Sequence, residues 1–147
     1  MKKIIVLGTI VFSLIYTSVL ADGGVKISEK VKVAFRKEFV NAQEVQWENF
    51  EGSVRAIFSL NSQIWTAYFH INGQLIAVTR NISSSELPIQ LVIALKKDYP
   101  DFWITELFEI YSNGETSYYI SLNSRDLNLE LKSASNEIWE SIEMDKL

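Results

Sequence analysis

Few side chains in this sequence could support catalysis or bind a metal. The chain has one histidine, His70, and no cysteine, so any serine-type or cysteine-type nucleophile would need His70 as its base. No carboxylate lies near His70 in the sequence to orient its ring. A strand histidine that is exposed or already hydrogen-bonded is therefore the favoured interpretation. Structural zinc is not expected either, because one histidine cannot supply several ligands.

Carboxylates are the remaining candidates for chemistry. Glu106 and Glu109 should point to opposite faces of a strand, which provides no paired-carboxylate site. Glu137, Glu140 and Glu143 could form either a solvated acidic edge or a rim that attracts calcium. The acidic edge is favoured, because loop oxygens at regular spacing are absent around these residues. We therefore predict a protein that is not an enzyme and that uses no metal and no cofactor.

The first structural element that the sequence predicts is a helix. Ser28 is a good N-cap, and Val31, Phe35 and Phe39 follow on one helical face. Apolar and polar residues then alternate with a period of two, which predicts strands. Four strands are predicted to begin near Val45, Val54, Trp65 and Gln74, and the last ends at Ile82. Asn72-Gly73 is the strongest hairpin signal, because both residues tolerate positive φ.

A second helix and four more strands follow in the sequence. Ser84, Ser85 and Pro88 predict a helix start, and the Tyr99-Pro100 step predicts its end. The later strands are predicted at Trp103–Tyr111, Ser117–Leu122, Leu127–Lys132 and Glu137–Ile142. Asn113-Gly114 is the predicted turn between the first two of them.

The two halves of the chain repeat one pattern. The apolar helix positions recur 60 residues later, so that Val31, Phe35 and Phe39 correspond to Leu91, Leu95 and Tyr99. Self-similarity at a fixed spacing predicts a repeated supersecondary unit. The predicted fold class is therefore α+β, a tandem repeat of a helix plus a four-stranded antiparallel sheet, with the helices packed on one sheet face. Residues 27–147 would form a single domain made of two repeats, 27–82 and 83–147.

The N-terminal segment has the features of a signal peptide. Two lysines precede an apolar run that extends to Leu20, and Ala21 provides the small residue before a cleavage site. We predict a signal peptide at 1–21, a flexible linker at 22–26, and a periplasmic or secreted location with only transient membrane contact. A retained membrane anchor is the alternative, since the run approaches the roughly 17 residues that can span a bilayer.

The charge of the chain bears on its partners. The formal net charge is -4, and removal of the signal peptide takes away two lysines and no acids. Proteins that bind nucleic acid need clustered Lys and Arg residues on one face. No nucleic acid partner is therefore expected.

The sheet face away from the helices is predicted to be too apolar for an ordinary solvated surface. Contiguous exposed patches with aromatic residues mark interaction sites. The candidate binding residues on this face are Ile57, Tyr68, His70, Phe108 and Tyr119. Strict alternation along the fifth strand assigns Trp103 to the helix side. In the alternative interpretation, the two halves shield the candidate residues from one another.

Several features of the chain together match one known family. They are the signal peptide, the Phe35 and Phe39 helix leading into Asn41-Ala42 with Val45 and Trp47 behind it, the aromatic-rich strands, Asn72-Gly73, Leu87-Pro88 and Tyr99-Pro100. In these features the sequence resembles the PepSY-like, beta-lactamase-inhibitor-like family of small exported bacterial proteins. The resemblance implies a tandem repeat of a helix plus a four-stranded sheet, whose concave side grips a partner protein. It does not imply inhibition of a lactamase.

Two functions are compatible with these expectations. The first is an exported non-catalytic binding module that engages an unknown protein or peptide of the cell envelope through the open sheet face, with an inhibitory or regulatory effect. A strand added at a sheet edge is a variant of this mode. The second is a small apolar ligand carrier, with a pocket lined by Trp47, Trp65 and Phe69, although such residues more often form the core. A deep apolar cavity would favour the carrier.

Overall fold

A computed structural model describes residues 26–133 and 138–142. Its elements in chain order are α1 (Glu29–Glu38), β1 (Gln43–Phe50), β2 (Ser53–Leu60), β3 (Gln63–Phe69), β4 (Leu75–Asn81), a 3-10 turn (Ser84–Glu86), α2 (Ile89–Asp98), β5 (Trp103–Ser112), β6 (Glu115–Asn123), β7 (Asn128–Ser133) and β8 (Glu140–Ser141). The predicted signal peptide (1–21), the predicted linker except Lys26, and also Glu137 and Glu143 lie outside the described residues.

The eight strands form one antiparallel sheet in which each strand pairs with its neighbours in the sequence, in the order β1 to β8. The predicted fold class, a tandem repeat of a helix plus a four-stranded sheet, is wrong, because β4 and β5 are hydrogen-bonded to each other. Their pairing runs from Val78 opposite Tyr111 to Asn81 opposite Phe108. A free strand edge exposes unpaired backbone groups, so joining these two edges satisfies both. Side-chain periodicity does not report which strand occupies an edge.

Side chains reinforce the join between β4 and β5. Arg80 Nε donates to Glu109 Oε2 at 2.6 Å, and Arg80 Nη1 donates to Glu86 at 2.9 Å and to Gln63 at 3.1 Å. The guanidinium carbon lies 5.2 Å from the centroid of the Trp65 ring. The hydrogen bond to Glu109 is the main reason that the pKa of Arg80 is raised. Arg80 therefore connects β4 to β3, to β5 and to the 3-10 turn.

The first helix begins at its predicted cap. Ser28 Oγ accepts a hydrogen bond from the Val31 N–H at 3.4 Å, which confirms the predicted N-cap. The same hydroxyl donates to the Ile71 carbonyl at 3.1 Å. The cap therefore also attaches the helix to the connection between β3 and β4.

The serines before the second helix cap a different element from the one predicted. Ser83 and Glu86 form a capping box around the 3-10 turn, and the Ser83 N–H donates to Glu86 Oε2 at 2.8 Å. This hydrogen bond is the main cause of the lowered pKa of Glu86. Helix α2 follows Pro88 without a side-chain cap. Its last residue is Asp98 and its C-cap is Tyr99, directly before Pro100, as predicted.

Both helices pack their apolar stripes on one face of the sheet. Phe35 of α1 is buried among residues of β2, β3 and β4, and Leu91 of α2 is buried among residues of β5, β6 and β7. Val78 of the first cluster lies opposite Tyr111 on β5. Leu107 of the second cluster is four residues from Tyr111 on the same strand, and strand residues an even number apart point to the same side. Both core clusters therefore lie on the same face of the sheet. Within the described ranges, neither helix is long and apolar enough to cross a membrane.

We name the opposite side of the sheet the open face. Its residues on β1 to β4 include Glu48, Phe50, Arg55, Ile57, Ile64, Tyr68, Ala77 and Thr79. Those on β5 to β8 and the residue after β8 include Trp103, Glu106, Phe108, Ile110, Tyr119, Ser121, Asn128, Glu130, Lys132 and Ile142. Because both helices lie on the other side, no element of the described chain covers the open face.

Candidate functional site

The five predicted binding residues do not form one exposed patch. Tyr68, Phe108 and Tyr119 lie on the open face, where they are 1%, 7% and 3% exposed. Ile57 lies on the same face and is half-buried, whereas His70 is exposed just after β3. The aromatic members of the predicted set are therefore covered by other side chains.

The aromatic residues of the open face belong to two clusters. Tyr68 packs edge-on against Phe50, with 5.6 Å between the ring centroids, and Phe108 lies 6.3 Å from Tyr119 at a tilted angle. Aliphatic neighbours complete each cluster, Ile76 and Ala77 in the first and Ile110 and Ile142 in the second. Each cluster thus forms within its own half of the sheet. The aromatic rings are therefore covered by neighbouring side chains on the same face, and not by residues from the other half of the chain.

Arg55 closes the first of these clusters. Its Nε donates to Glu48 Oε2 at 2.6 Å, and its guanidinium carbon lies 5.0 Å from the centroid of the Phe50 ring. Burial raises the pKa of Tyr68, and the charge of Arg55 opposes this rise. The charge of Arg55 is balanced by Glu48, so this end of the open face carries no net charge that would recruit an ionic ligand.

The second cluster contains a buried tyrosine hydroxyl. The hydroxyl of Tyr119 is buried and forms no hydrogen bond of good geometry with a described residue, although Ser121 and Glu130 lie close enough to it to shift its pKa. Burial raises the pKa of Tyr119 far above its usual value, and the carboxylates of Glu130 and Glu106 add to the rise. The hydroxyl therefore stays protonated, lies within electrostatic reach of two carboxylates and has unused hydrogen-bonding capacity.

Two carboxylates stand in a row next to this hydroxyl. Glu106 of β5 and Glu130 of β7 are each opposite Ser121 of β6, so the three side chains form one row across the open face. Tyr119 belongs to the neighbouring row, opposite Phe108. Within the described part of the chain, neither carboxylate forms an ion pair. We name Glu106, Ser121 and Glu130 the acidic row.

A bulge in β5 places Trp103 on the open face beside the acidic row. The register slips by one residue between Ile104 and Glu106, so Thr105 is an extra residue. Trp103 consequently lies on the open face, opposite Asn123, and is 52% exposed. The predicted assignment of Trp103 to the helix side is wrong, because strict alternation does not anticipate a bulge. No signal in the sequence marks the inserted residue, because the bulge is visible only in the cross-strand register.

The other candidates for chemistry do not converge in space. The backbone N–H of His70 donates to the backbone carbonyl of Gln74 at 2.9 Å in a hairpin turn. Glu109 is paired with Arg80, away from the open face. Of the three carboxylates of the predicted acidic edge only Glu140 is described, and it is exposed on β8. In residues 26–133 and 138–142, no cluster of three or more His, Asp or Glu residues could hold a metal ion.

Two surface clefts do not match the pocket expected of a ligand carrier. One, of about 480 Å³, lies between α1 and the turn at Gly73, and the other, of about 450 Å³, is lined in part by Glu106. Trp47, Trp65 and Phe69 line neither cleft and pack into the core beneath α1. These three residues therefore act as core residues.

Alkaline pH is expected to destabilise the fold through buried tyrosines. Burial raises the pKa of Tyr68, Tyr118 and Tyr119 above the ordinary value of 10.0. The unfolded chain therefore loses these protons first, so stability is fully present below about pH 10 and falls above it by up to about 1.4 kcal/mol per pH unit for each tyrosine. Urea unfolding from about pH 9 to about pH 12 measures this decline. Tyr119→Phe should make the decline shallower, and an unchanged slope would contradict the assignment.

Comparison with known proteins identifies similar structures. No family profile and no curated protein matches the sequence. A DUF2874 family protein from Bacteroides ovatus is 17% identical, with a TM-score of 0.73 over 79% of this chain and 86% of that one. A BLIP-like protein from Bacteroides fragilis is 15% identical, with a TM-score of 0.71 over 85% and 94%. A candidate periplasmic protein from Bacteroides eggerthii is 13% identical, with a TM-score of 0.70 over 80% and 91%.

These similarities concern the fold. They confirm the BLIP-like part of the predicted resemblance at that level, whereas the PepSY-like part stays a prediction. The single eight-stranded sheet with two helices on one side is therefore similar in fold to DUF2874 family and BLIP-like proteins.

Proposed function

We propose that this chain is an exported, non-catalytic binding module that engages a protein or peptide of the cell envelope through the open face. The observation that carries the proposal is the one-sided sheet. Both helices pack on one side of eight continuous strands, and no described element lies on the other. A broad surface supported by a rigid sheet is suited to contact with a macromolecule.

Exposed and buried side chains have different roles in this proposal. Trp103 and Ile64 are exposed on the open face and provide apolar contact area. Tryptophan is among the residues most often found to dominate the energy of an interface. The buried residues Tyr68, Phe108 and Tyr119 support the surface from within, because they fix the strands on which the exposed groups are carried.

The proposal includes export and an effect on the partner. The predicted signal peptide at 1–21 and the similarity to a candidate periplasmic protein support a periplasmic or secreted location. We propose that residues 27–147 form a single domain, since one sheet joins both halves of the described chain. The BLIP-like neighbour supports inhibition or regulation as the consequence of binding.

Replacing Trp103 by alanine should abolish most partner binding. Removing a tryptophan that is buried in an interface commonly weakens that interface by about 2 kcal/mol or more, which corresponds to roughly 30-fold. The measurement is recovery of partner from envelope extract of the producing cells on the immobilised full-length chain. Val33→Ala is the matched control, because Val33 is also large, apolar and 55% exposed but lies on α1. Equal recovery by Trp103→Ala and the unmodified chain would refute the proposal.

A further inference from the structure

We infer that the acidic row is a subsite for an arginine side chain of the partner. The inference rests on the proposed function and specifies the chemistry that the partner must present. The subsite comprises Glu106, Ser121 and Glu130, with the Tyr119 hydroxyl on one side and Trp103 on the other. Charge, hydrogen bonding and shape at this place each favour a guanidinium.

The two carboxylates are spaced for a single shared cation. Glu106 and Glu130 lie on strands separated by one intervening strand, so their Cα atoms are roughly 10 Å apart. Two glutamate side chains that converge from this spacing can contact opposite edges of one planar guanidinium, which presents five N–H donors. Neither carboxylate has an ion-pair partner among the described residues.

The Tyr119 hydroxyl is an independent indication of a ligand. It is buried and forms no hydrogen bond of good geometry within the described chain, and its pKa responds to Ser121 and Glu130, so it lies at the acidic row. Buried polar groups in native proteins almost always have a partner, so this hydroxyl has hydrogen-bonding capacity that a ligand at the acidic row can use. A tyrosine hydroxyl can accept a guanidinium N–H while it donates to a carboxylate such as that of Glu130.

Trp103 supplies a further contact. The exposed indole of Trp103 provides an aromatic face on which a guanidinium can stack. The cleft of about 450 Å³ is lined by Glu106 but by neither Ser121 nor Glu130, so it meets the acidic row only at one end. Arginine uses planar stacking and bidentate hydrogen bonding together, whereas lysine cannot do so.

The chain's own nearby cation does not occupy the acidic row. Lys132 is two residues beyond Glu130 on β7 and is opposite both Tyr119 and Glu140. In the described structure Lys132 forms no ion pair with any of these carboxylates. Its charge opposes a second cation, so removing it should strengthen arginine binding.

The test uses N-acetyl-arginine-N-methylamide as the probe and the full-length chain labelled for NMR. We expect saturable shifts of the backbone amides of Glu106, Ser121 and Glu130. The citrulline counterpart, which has the same shape without the charge, should bind at least 10-fold more weakly. The lysine counterpart should fall between the two.

Substitutions in and near the acidic row test whether the probe binds there. Glu106→Gln combined with Glu130→Gln should weaken the arginine probe at least 10-fold, and Lys132→Met should strengthen it about 2-fold. Glu140→Gln is the matched control on the same face and should leave binding unchanged. If the double variant does not fold, Glu106→Gln alone, at an exposed position, should still weaken binding several-fold.

Several outcomes would overturn the inference. Equal binding of the arginine and citrulline probes, or unchanged binding in the glutamine variants, would exclude an arginine subsite. Larger chemical-shift changes with calcium chloride than with the arginine probe would assign the acidic row to a metal ion and not to arginine. Partner recovery that depends on Trp103 but not on the acidic row would retain the proposed function and reject the subsite. Binding of the probe at the acidic row, without any partner whose recovery depends on Trp103, would retain the arginine subsite and reject the proposed function.

Discussion

Replacing Phe35 by alanine is expected to lower the free energy of unfolding by about 4 kcal/mol, the largest effect that the structure implies for a single side chain. Phe35 is buried at the centre of the first core cluster. Its ring lies 5.2 Å from that of Phe39, 5.1 Å from Trp47, 5.0 Å from Phe58 and 6.3 Å from Phe69. Truncation would leave a cavity that four large rings cannot collapse to fill. Urea denaturation followed by tryptophan fluorescence measures the loss.

Val33→Ala is the control for this experiment. Val33 is on the same helix but is exposed, and alanine has the higher helix propensity, so the change should stay within about 0.5 kcal/mol. Similar losses in Phe35→Ala and Val33→Ala would mean that α1 does not pack its predicted stripe on the sheet.

Replacing Gly73 by alanine should cost about 3 kcal/mol, for two separate reasons. Gly73 has a φ of +93°, which costs an L-residue roughly 1–2 kcal/mol. A Cβ at this position would also lie 2.9 Å from the Lys30 carbonyl oxygen and 3.1 Å from its carbon, in the backbone of α1. The turn and the helix must therefore move apart. Thermal and urea unfolding of the purified variant measure the effect.

Gly114→Ala separates the two causes. Gly114 also has a positive φ, of +83°, but a Cβ there would have no atom within 4 Å. This variant should therefore lose only the conformational part, about 1–2 kcal/mol. Equal losses at Gly73 and Gly114 would show that the close approach of the turn to α1 has no energetic weight.

Local structure was predictable from the sequence because local chemistry determines it. Ser28 caps α1 through its hydroxyl, and Tyr99 ends α2 because Pro100 follows. Gly73 and Gly114 occupy positive φ in the turns that the asparagine-glycine pairs predict. In each case the determinant lies within a few residues of its effect.

The join between the halves was not predictable in the same way. The pairing of Val78 with Tyr111 brings together strands that are separated by a helix, and either edge could equally have met solvent. The bulge at Thr105 is a second example, since nothing in the alternation of apolar residues announces an inserted residue. The predicted fold class and the predicted side of Trp103 failed for these two reasons.

The sequence predicted on which side of the sheet the candidate residues lie, but not which of them are accessible to a partner. The register places Ile57, Tyr68, Phe108 and Tyr119 on the open face, where alternation had placed them. Whether an aromatic ring on that face is accessible depends on neighbours from adjacent strands, which cover all three rings. The acidic row could not be found from sequence spacing, because it requires the cross-strand register.

The most direct test of the central claim is a comparison of the two sides of the sheet by photocrosslinking in producing cells. Benzoylphenylalanine would replace Ile64 or Asn128 on the open face, and Val33 or Ile93 on the helices, all of which are exposed. We predict one discrete crosslinked product from each open-face position, lost when Trp103→Ala is added, and none from the helix positions. Crosslinks that arise from the helices, or equally from both sides, would contradict the account.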